Sequence, residues 1–475
     1  MRRRTLLVIC LVALAHSALY IVHQRPDWDS VWTDQGGYDR LGEGLASTGQ
    51  FTRYPGSMVF IPEVIRTPGY PLFVAAVYLL FGTGNHMAVA IAQAFVFAGI
   101  CLLVYALAKR ALAPSEAGGR VEGADERSAI VAAAATALYS PLPYFGALVL
   151  TELWTACVAT AAMVVCLKAA QGGKIRDFAI AGALMSATTL VRPAFVLMPF
   201  FFAIAVPLLV RAQRRRQALA GWGVLALVAA LALTPWFTYN YVHLGRFALS
   251  PAGGVGRGLW EGAWQGQWTG RIQADLINLA EATADRTELD RRVRAKAVET
   301  GLPAGPMLQY VNEWRDIRAI WDTPTDPLER ASARVAADGE YLRHALAIMR
   351  ADPIGHVKRR LTRGAFVLWA AEIPIRYSAI NNTPAPVIRA IWLVQVVLLL
   401  VAAWGAIVLA RGGRWLEAVM LSLPIIYVTG VHLPLLCEAR QSLPVKPVVL
   451  ALAAIGTVGT VRTVRTFISP GNASS

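Results

Sequence analysis

The sequence predicts an all-α polytopic membrane protein, a bundle of about ten transmembrane helices with outward-facing loops and a small helical insertion. Three observations predict it. Of 475 residues, 56% are hydrophobic and 16% charged, with a mean hydropathy of +0.47, a balance that a soluble domain of this size would struggle to hide from water. Apolar runs recur at lengths suited to crossing about 30 Å of hydrocarbon as helices. The basic residues between those runs fall on one side when the runs are threaded alternately, as the positive-inside rule requires.

In order, the apolar runs lie near residues 5–22, 86–108, 129–145, 147–168, 177–191, 194–210, 218–236, 386–410, 415–434 and 443–461. Alternate threading places Arg2 to Arg4, Lys109 and Arg110, Lys174 and Arg176, "RAQRRR" (211–216), "RGGR" (411–414), Arg462 and Arg465 on the cytoplasmic side. In a soluble protein a net charge of +15 would suggest nucleic acid; here topology accounts for the arginines, and no nucleic-acid partner is expected. The first run, "MRRRTLLVICLVALAHS", also fits a cleaved signal peptide. Nine further spans need a signal-anchor's orientation, which favours an anchor.

Three regions follow: residues 1–236, an N-terminal transmembrane region that includes the first outward loop, 23–85; residues 237–385, an outward loop and helical insertion; and residues 386–475, the C-terminal transmembrane helices. The five cysteines have no paired metal spacing and four lie inside predicted spans, so they read as packing residues. The seven histidines form no HExxH or comparable pair, and no glycine-rich stretch ends in the Lys-Ser/Thr of a nucleotide-binding loop.

The outward side, by contrast, collects acids, arginines, aromatics and glycines. In "DQGGYDRLGEGLASTGQF" (34–51), Tyr38, Leu41 and Leu45 recur at helical spacing after Asp34, which predicts a short amphipathic helix near the membrane surface. Asp34 sits at the positive end of that helix, where it is held ionised; its competing reading is a plain N-cap. "PEVIRTPGYPLF" (62–73) frames Arg66 and Tyr70 with prolines and leads into an apolar run, 69–82, that dips into the membrane rather than crossing it. Arg66 at the interface can grip a phosphate with two parallel hydrogen bonds, or simply snorkel.

Glu152 in "LVLTELW" and Arg192 in "TLVRPAF" stand at outward span ends. Trp260, Trp264 and Trp268 recur every four residues in a glycine-rich loop, as a sugar platform or as an interfacial aromatic belt. Residues 270–363 carry charges of both signs on amphipathic patterns, the mark of a small soluble helical insertion. The basic run "HVKRRLTRGAFVLWA" (356–370) returns the chain to the membrane, meeting anionic lipid or forming a solvated helix face. The last outward loop, "LLCEARQSLPVKPVV", holds Glu438, Arg440 and Lys446; Lys446 binds an anionic ligand or pairs with Glu438.

Taken in order, "DQGGYDRLGEGLASTGQF", "RTPGYPLF", "TELW", the "RP" at 192–193, "PWFTYNYVHLGRF", "GGVGRGLWEG" and "ARQSLPVKP" resemble the landmarks of bacterial GT-C superfamily glycosyltransferases. The branch resembled holds the dolichyl-phosphate-mannose protein mannosyltransferases and the lipid A aminoarabinose transferases. Two departures stand out: Tyr239-Asn240 where relatives read Arg-Asn, and Arg440-Gln441 where they read Arg-Tyr.

The resemblance implies a multi-pass enzyme of the cytoplasmic (inner) membrane with a GT-C-like bundle, a periplasmic insertion and an active site facing the periplasm or exterior. It takes a sugar from a polyprenyl-phosphate donor and passes it to a lipid, glycan or protein acceptor with inversion. Asp34 matches the family's catalytic base. Arg66, Arg192, Arg440 and Lys446 are the donor phosphate-binding candidates, with Tyr38, Tyr70, Glu152 and Trp260 positioning donor or acceptor. No cofactor is certain; a divalent metal shared by Asp34 and Glu152 is left open, because two acids are too few for an oxygen cage. The alternatives are a lipid-linked sugar transporter or flippase, for which the chain shows no internal repeat, and a non-catalytic membrane assembly partner.

Overall fold

The computed structural model describes residues 2–24, 33–113, 124–209, 215–375 and 382–468, and it contains helices and turns without strands over that range. "RAQRRR" falls largely outside the described residues, as do the side chains of Arg462 and Arg465.

The N-terminal half runs α1 (Arg2–Gln24), α2 (Thr33–Thr48), α3 (Gly69–Phe81), α4 (His86–Ala111), α5 (Ala124–Ala137), α6 (Pro141–Gly146), α7 (Glu152–Gly172), α8 (Ile175–Val191), α9 (Met198–Leu209) and α10 (Arg215–Leu244). The insertion follows as α11 (Val255–Trp264), α12 (Gly270–Ala282), α13 (Arg286–Thr300), α14 (Ala304–Asp322), α15 (Pro327–Ala351) and α16 (Pro353–Arg359). A π-turn, Arg360–Gly364, leads into α17 (Ala365–Ala370), and the chain finishes with α18 (Ala385–Arg411), α19 (Trp415–His432), a 3-10 turn Ala439–Val445 and α20 (Lys446–Ile468).

Among the described residues seven helices are long and apolar enough to cross a membrane: α1, α4, α7, α10, α18, α19 and α20 with its preceding turn. The run expected at 129–145 is instead two helices, because Pro141 and Pro143 end α5's pattern and start the short α6. At 17 residues, α8 and the segment Pro193–Leu209 that contains α9 stand at the short end of the spanning range. Helix α3, 13 residues, is about 20 Å long, too short to cross.

One end of the bundle gathers the predicted cytoplasmic charges. Arg110 donates to Gln171, which donates to Glu417, while Arg414 donates to the Ala111 and Ala113 carbonyls, so the turns after α4, α7 and α18 meet there. The bundle core packs α4, α7, α8, α19 and α20 through small and branched side chains. At the other end lie α2, α3, the insertion and the 3-10 turn.

The insertion has its own core. Trp260, Trp264, Trp268, Leu289, Tyr310 and Tyr341 are buried together, and α11 packs along α15. Side-chain caps begin its helices: Asp285 accepts from the Glu288 amide at 2.7 Å and Asp326 from the Leu328 amide at 2.8 Å.

Candidate active site

Helix α2 forms where the apolar spacing placed it, with Leu41 fully buried and Tyr38 and Leu45 partly so. Asp34 is in its first turn. One carboxylate oxygen, Oδ1, accepts from Arg66 Nη2 at 2.9 Å, and Oδ2 accepts from Arg440 Nη1 and Nη2, both at 3.3 Å. The Asp34 side chain remains 42% exposed, open to an approaching molecule. Burial alone would raise its pKa, but the Arg440 and Arg66 charges outweigh that and hold the carboxyl below the ordinary aspartate value.

Arg66 is fixed from below. Glu63, buried, accepts the backbone amides of Ile65 at 2.8 Å and Arg66 at 3.1 Å and is clamped by the Arg53 guanidinium. Burial pushes the Glu63 carboxyl up, and Arg53 more than reverses it, so Glu63 stays ionised. The Arg66 guanidinium then lies over the Tyr38 ring, 4.7 Å from its centroid, and fills the space beside Gly37 that any Cβ there would occupy. The glycine pair after Asp34 thus serves close approach at its second member.

Tyr70 meets Tyr38 edge-on at 5.2 Å but is fully buried, and its hydroxyl donates to Gln93 Oε1 at 3.2 Å. Gln93 in turn donates to the Gly146 and Leu148 carbonyls. Tyr70 therefore supports Tyr38 from beneath rather than facing the opening. Gln35 joins the same scaffold by accepting the Val149 amide at 3.0 Å.

Glu152 opens α7, and its Oε1 lies 3.6 Å from both Arg192 Nη1 and Arg440 Nη1. Glu438 accepts from Arg440 Nε at 2.9 Å. The result is an alternating chain of charge, Arg66–Asp34–Arg440–Glu152–Arg192, drawn from four separate parts of the sequence. Alternation is what makes it tolerable: each buried or half-buried charge has an opposite neighbour. Gln441, at one of the two departures, closes a capping box with Glu438 and steadies the turn that carries Arg440. At the other departure Tyr239 stacks on Trp236 at 4.9 Å, and buried Asn240 donates to the Ala248 and Leu249 carbonyls, pinning the return after α10.

Asp34 and Glu152 do not form an oxygen cage for a metal. Arg440 stands between them, both Asp34 oxygens already accept from guanidinium groups, and no group of three or more His, Cys, Asp or Glu converges among the described residues.

Two expected site residues lie elsewhere. Lys446 is fully buried, donating to the Trp369 carbonyl at 3.0 Å and Gln395 Oε1 at 3.3 Å, so Glu438 is not its partner. Trp260 is in the insertion core, stacked on Tyr310 at 5.2 Å with its indole N–H donating to buried Glu313 at 2.6 Å, and Trp264 donates to the same carboxylate. The tryptophan spacing marks a helix core, neither a sugar platform nor an interfacial belt. The basic run at 356–370 is also put to internal use: Arg360, buried, donates to the Leu433, Leu435 and Gly262 carbonyls and to Gln265.

Arg257 was not singled out by sequence. It lies on α11, half exposed and bonded to Glu261 at 2.9 Å, near enough to Asp34 to help hold that carboxyl down. Its helix abuts the 433–437 turn, where Leu436 N donates to the Gly258 carbonyl at 2.7 Å and a Cβ on Gly262 would sit 2.6–2.8 Å from the backbone of Pro434 and Leu435. The signal was present in "GGVGRGLWEG", an arginine set among glycines that permit such contact.

No protein-family model matches the chain, and no curated protein matches it in sequence. Among solved structures it is similar to the oligosaccharyltransferase of Archaeoglobus fulgidus in its apo form, at 17% identity and a TM-score of 0.52, covering 100% of this chain and 53% of that one. The archaeal oligosaccharyltransferase AglB from the same organism, in complex with an inhibitory peptide and a dolichol-phosphate, matches at 16% identity and a TM-score of 0.51, covering 100% and 52%. This chain thus spans about half the length of that protein. ArnT from Cupriavidus metallidurans bound to undecaprenyl phosphate is matched over 96% of this chain and 79% of that one at 16% identity, but with a TM-score of 0.34, too low to carry a correspondence of residues. At these identities the likeness is one of architecture, and it agrees with the all-helical bundle and the seven candidate spans: the chain is a multi-pass membrane protein with the GT-C fold.

Proposed function

We propose that this protein is an integral-membrane glycosyltransferase that moves a sugar from a polyprenyl-phosphate-linked donor to an acceptor hydroxyl at the outer, periplasmic face of the cytoplasmic membrane, inverting the anomeric centre. The observation that carries the reading is Asp34: an ionised, accessible carboxylate held between Arg66 and Arg440, at the end of the bundle away from the basic turns.

In the reaction, the acceptor oxygen forms its bond to the anomeric carbon as the carbon–oxygen bond to the carrier phosphate breaks, and the phosphate leaves with the electron pair. The acceptor proton passes to Asp34. While the carbon carries positive charge, the Asp34 carboxylate stabilises it, and Arg66 and Arg440 stabilise the charge growing on the departing phosphate. Arg192 neutralises Glu152 within reach of Arg440 and so keeps the charge chain alternating. The AglB complex was solved with dolichol-phosphate and a peptide, a lipid-phosphate carrier and a peptide on a protein of this fold, which supports the choice of donor class.

The test is transfer from radiolabelled polyprenyl-phosphate sugars to a membrane acceptor pool by the native chain and by Asp34→Asn at matched protein level. Removal of a general base lowers the rate by about 10²- to 10⁴-fold, and that loss is expected here. Equal transfer by both chains would remove Asp34 from the chemistry; no transfer from any donor in a broad panel would return the protein to the transporter or assembly-partner readings.

A further inference from the structure

The connection between α2 and α3 ends in an apolar tip that the site does not use. In "PGSMVFIPE" (55–63), Met58 is fully exposed and Val59 is 61% exposed. Phe60 follows, its ring edge against His243 at 5.2 Å, in the last turn of α10. Around it the chain exposes further apolar surface: Tyr241 and Val242 on α10 and Phe247 just beyond, stacked on Phe237 at 4.8 Å.

This surface lies at the end of an element that has lipid for a neighbour. Helix α10 is a membrane span, and its exposed face repeats through Leu227, Leu231, Thr238 and Val242 at helical spacing. Leu227 and Leu231 must face lipid, and the loop tip meets the outer end of the same span through Phe60 and His243. Exposed Arg246, immediately after the Gly245 turn that stops the helix, is placed as an interfacial basic residue.

The base of the loop is rigid. Ile61 and Val64 are buried with Ala252 and Ala331, Ala252 N donates to the Val64 carbonyl at 2.8 Å, and Ser250 donates to the Ile65 carbonyl. Glu63 and Arg66, two and five residues beyond Ile61, belong to that same built segment.

We propose that residues 56–60 insert into the lipid leaflet beside the outer end of α10, a fixed hook that sets the height of Arg66 relative to the bilayer's phosphate layer. The occupant is lipid: the tip abuts the outer end of a span where Tyr241, Val242 and Phe247 are also exposed, and Met58 and Val59 stand on a stalk with no covering element among the described residues. This inference is independent of the transfer reaction, since it is read without turnover.

The full-length chain is reconstituted in phosphatidylcholine–phosphatidylglycerol vesicles with an environment-sensitive fluorophore on Met58→Cys. Unsubstituted chain, whose five cysteines are buried or half-buried, is the labelling control. Exposed Glu299→Cys on the insertion is the aqueous reference. The Met58 label is expected to emit at shorter wavelength than the Glu299 label, to be quenched severalfold more by lipids carrying a nitroxide, and to resist aqueous iodide. Iodide quenching equal to the reference would place the tip in water and overturn the proposal. Protection from both quenchers, together with cross-linking between copies through position 58, would identify a second copy as the occupant and overturn it equally.

Discussion

Asp34 has two arginines at hydrogen-bonding distance, and the consequence is a carboxylate that remains charged in acid. Its folded-state pKa is depressed, so the ionised form, and any chemistry that needs it, is retained as pH falls through the usual aspartate range and is lost only on passing the lower value. Replacing Arg440 with Gln removes one of those charges while leaving Asp34 in place. The acid limb of the transfer-rate profile is then expected to move up toward the ordinary value of about 3.9, together with a fall in the maximal rate. An unmoved acid limb would show that Arg440 does not control Asp34. Much at this scale was legible beforehand: Asp34, Arg66 and Arg440 were marked by charge in loops expected to face outward and Glu152 and Arg192 at span ends expected to do so, and the five form one chain of contacts. Lys446 bore the same marks and does not join them, because nothing in a local sequence tells a lysine that points to an interface from one turned inward onto Gln395 and the Trp369 carbonyl.

Among the elements, the insertion is organised around one buried carboxylate. Glu313 on α14 accepts from Trp260 and Trp264 of α11, from Gln309, and lies 3.1 Å from His344 on α15. Glu313→Gln keeps the shape but replaces charge-assisted bonds and presents an amide N–H₂ to indole donors. A loss of about 1.5 to 3 kcal/mol is expected, the worth of a hydrogen bond to a charged group. Hydrogen exchange should show it as faster exchange in α11 and α14 with unchanged protection in α7 and α8; uniform loss through the bundle would contradict a separate core. The amphipathic patterns of 270–363 disclosed the helices themselves, and the four-residue tryptophan spacing was the visible edge of this core. Its use was ambiguous because a stripe of aromatics serves a helix core, a sugar or a membrane interface with the same periodicity.

The whole molecule is a helical bundle with an insertion across the end that carries the charge chain, and Arg360 joins the two. From the π-turn it reaches Gly262 and Gln265 on the insertion side and Leu433 and Leu435 on the turn that precedes Arg440. Lysine retains the charge but not the planar fork that serves several acceptors at once. Arg360→Lys is therefore expected to leave the protein folded and membrane-inserted while lowering the maximal transfer rate by about 10²-fold, the cost of roughly 1 Å of misplacement at a reacting group. Its donor KM should change less than its maximal rate. A normal rate would mean that the turn bearing Arg440 holds its position without the insertion.

By itself the sequence determined the all-helical membrane architecture, most of the long apolar helices and the place of Asp34 in the first turn of α2. These follow from hydropathy, helical periodicity and charge at chain turns, all of which are local quantities. Only the tertiary structure decided that Arg440 would meet Asp34 across 406 positions, that Arg257 would face it from the insertion, and that Trp260 and Lys446 would turn inward. The physical reason is that helical periodicity, hydropathy and capping are set by neighbours in the chain, whereas burial is not. Which charges pair is set by the crossing of helices distant in sequence, and the gaps that let them approach are made by glycines such as Gly37 and Gly262, whose purpose appears only when the other surface is in place.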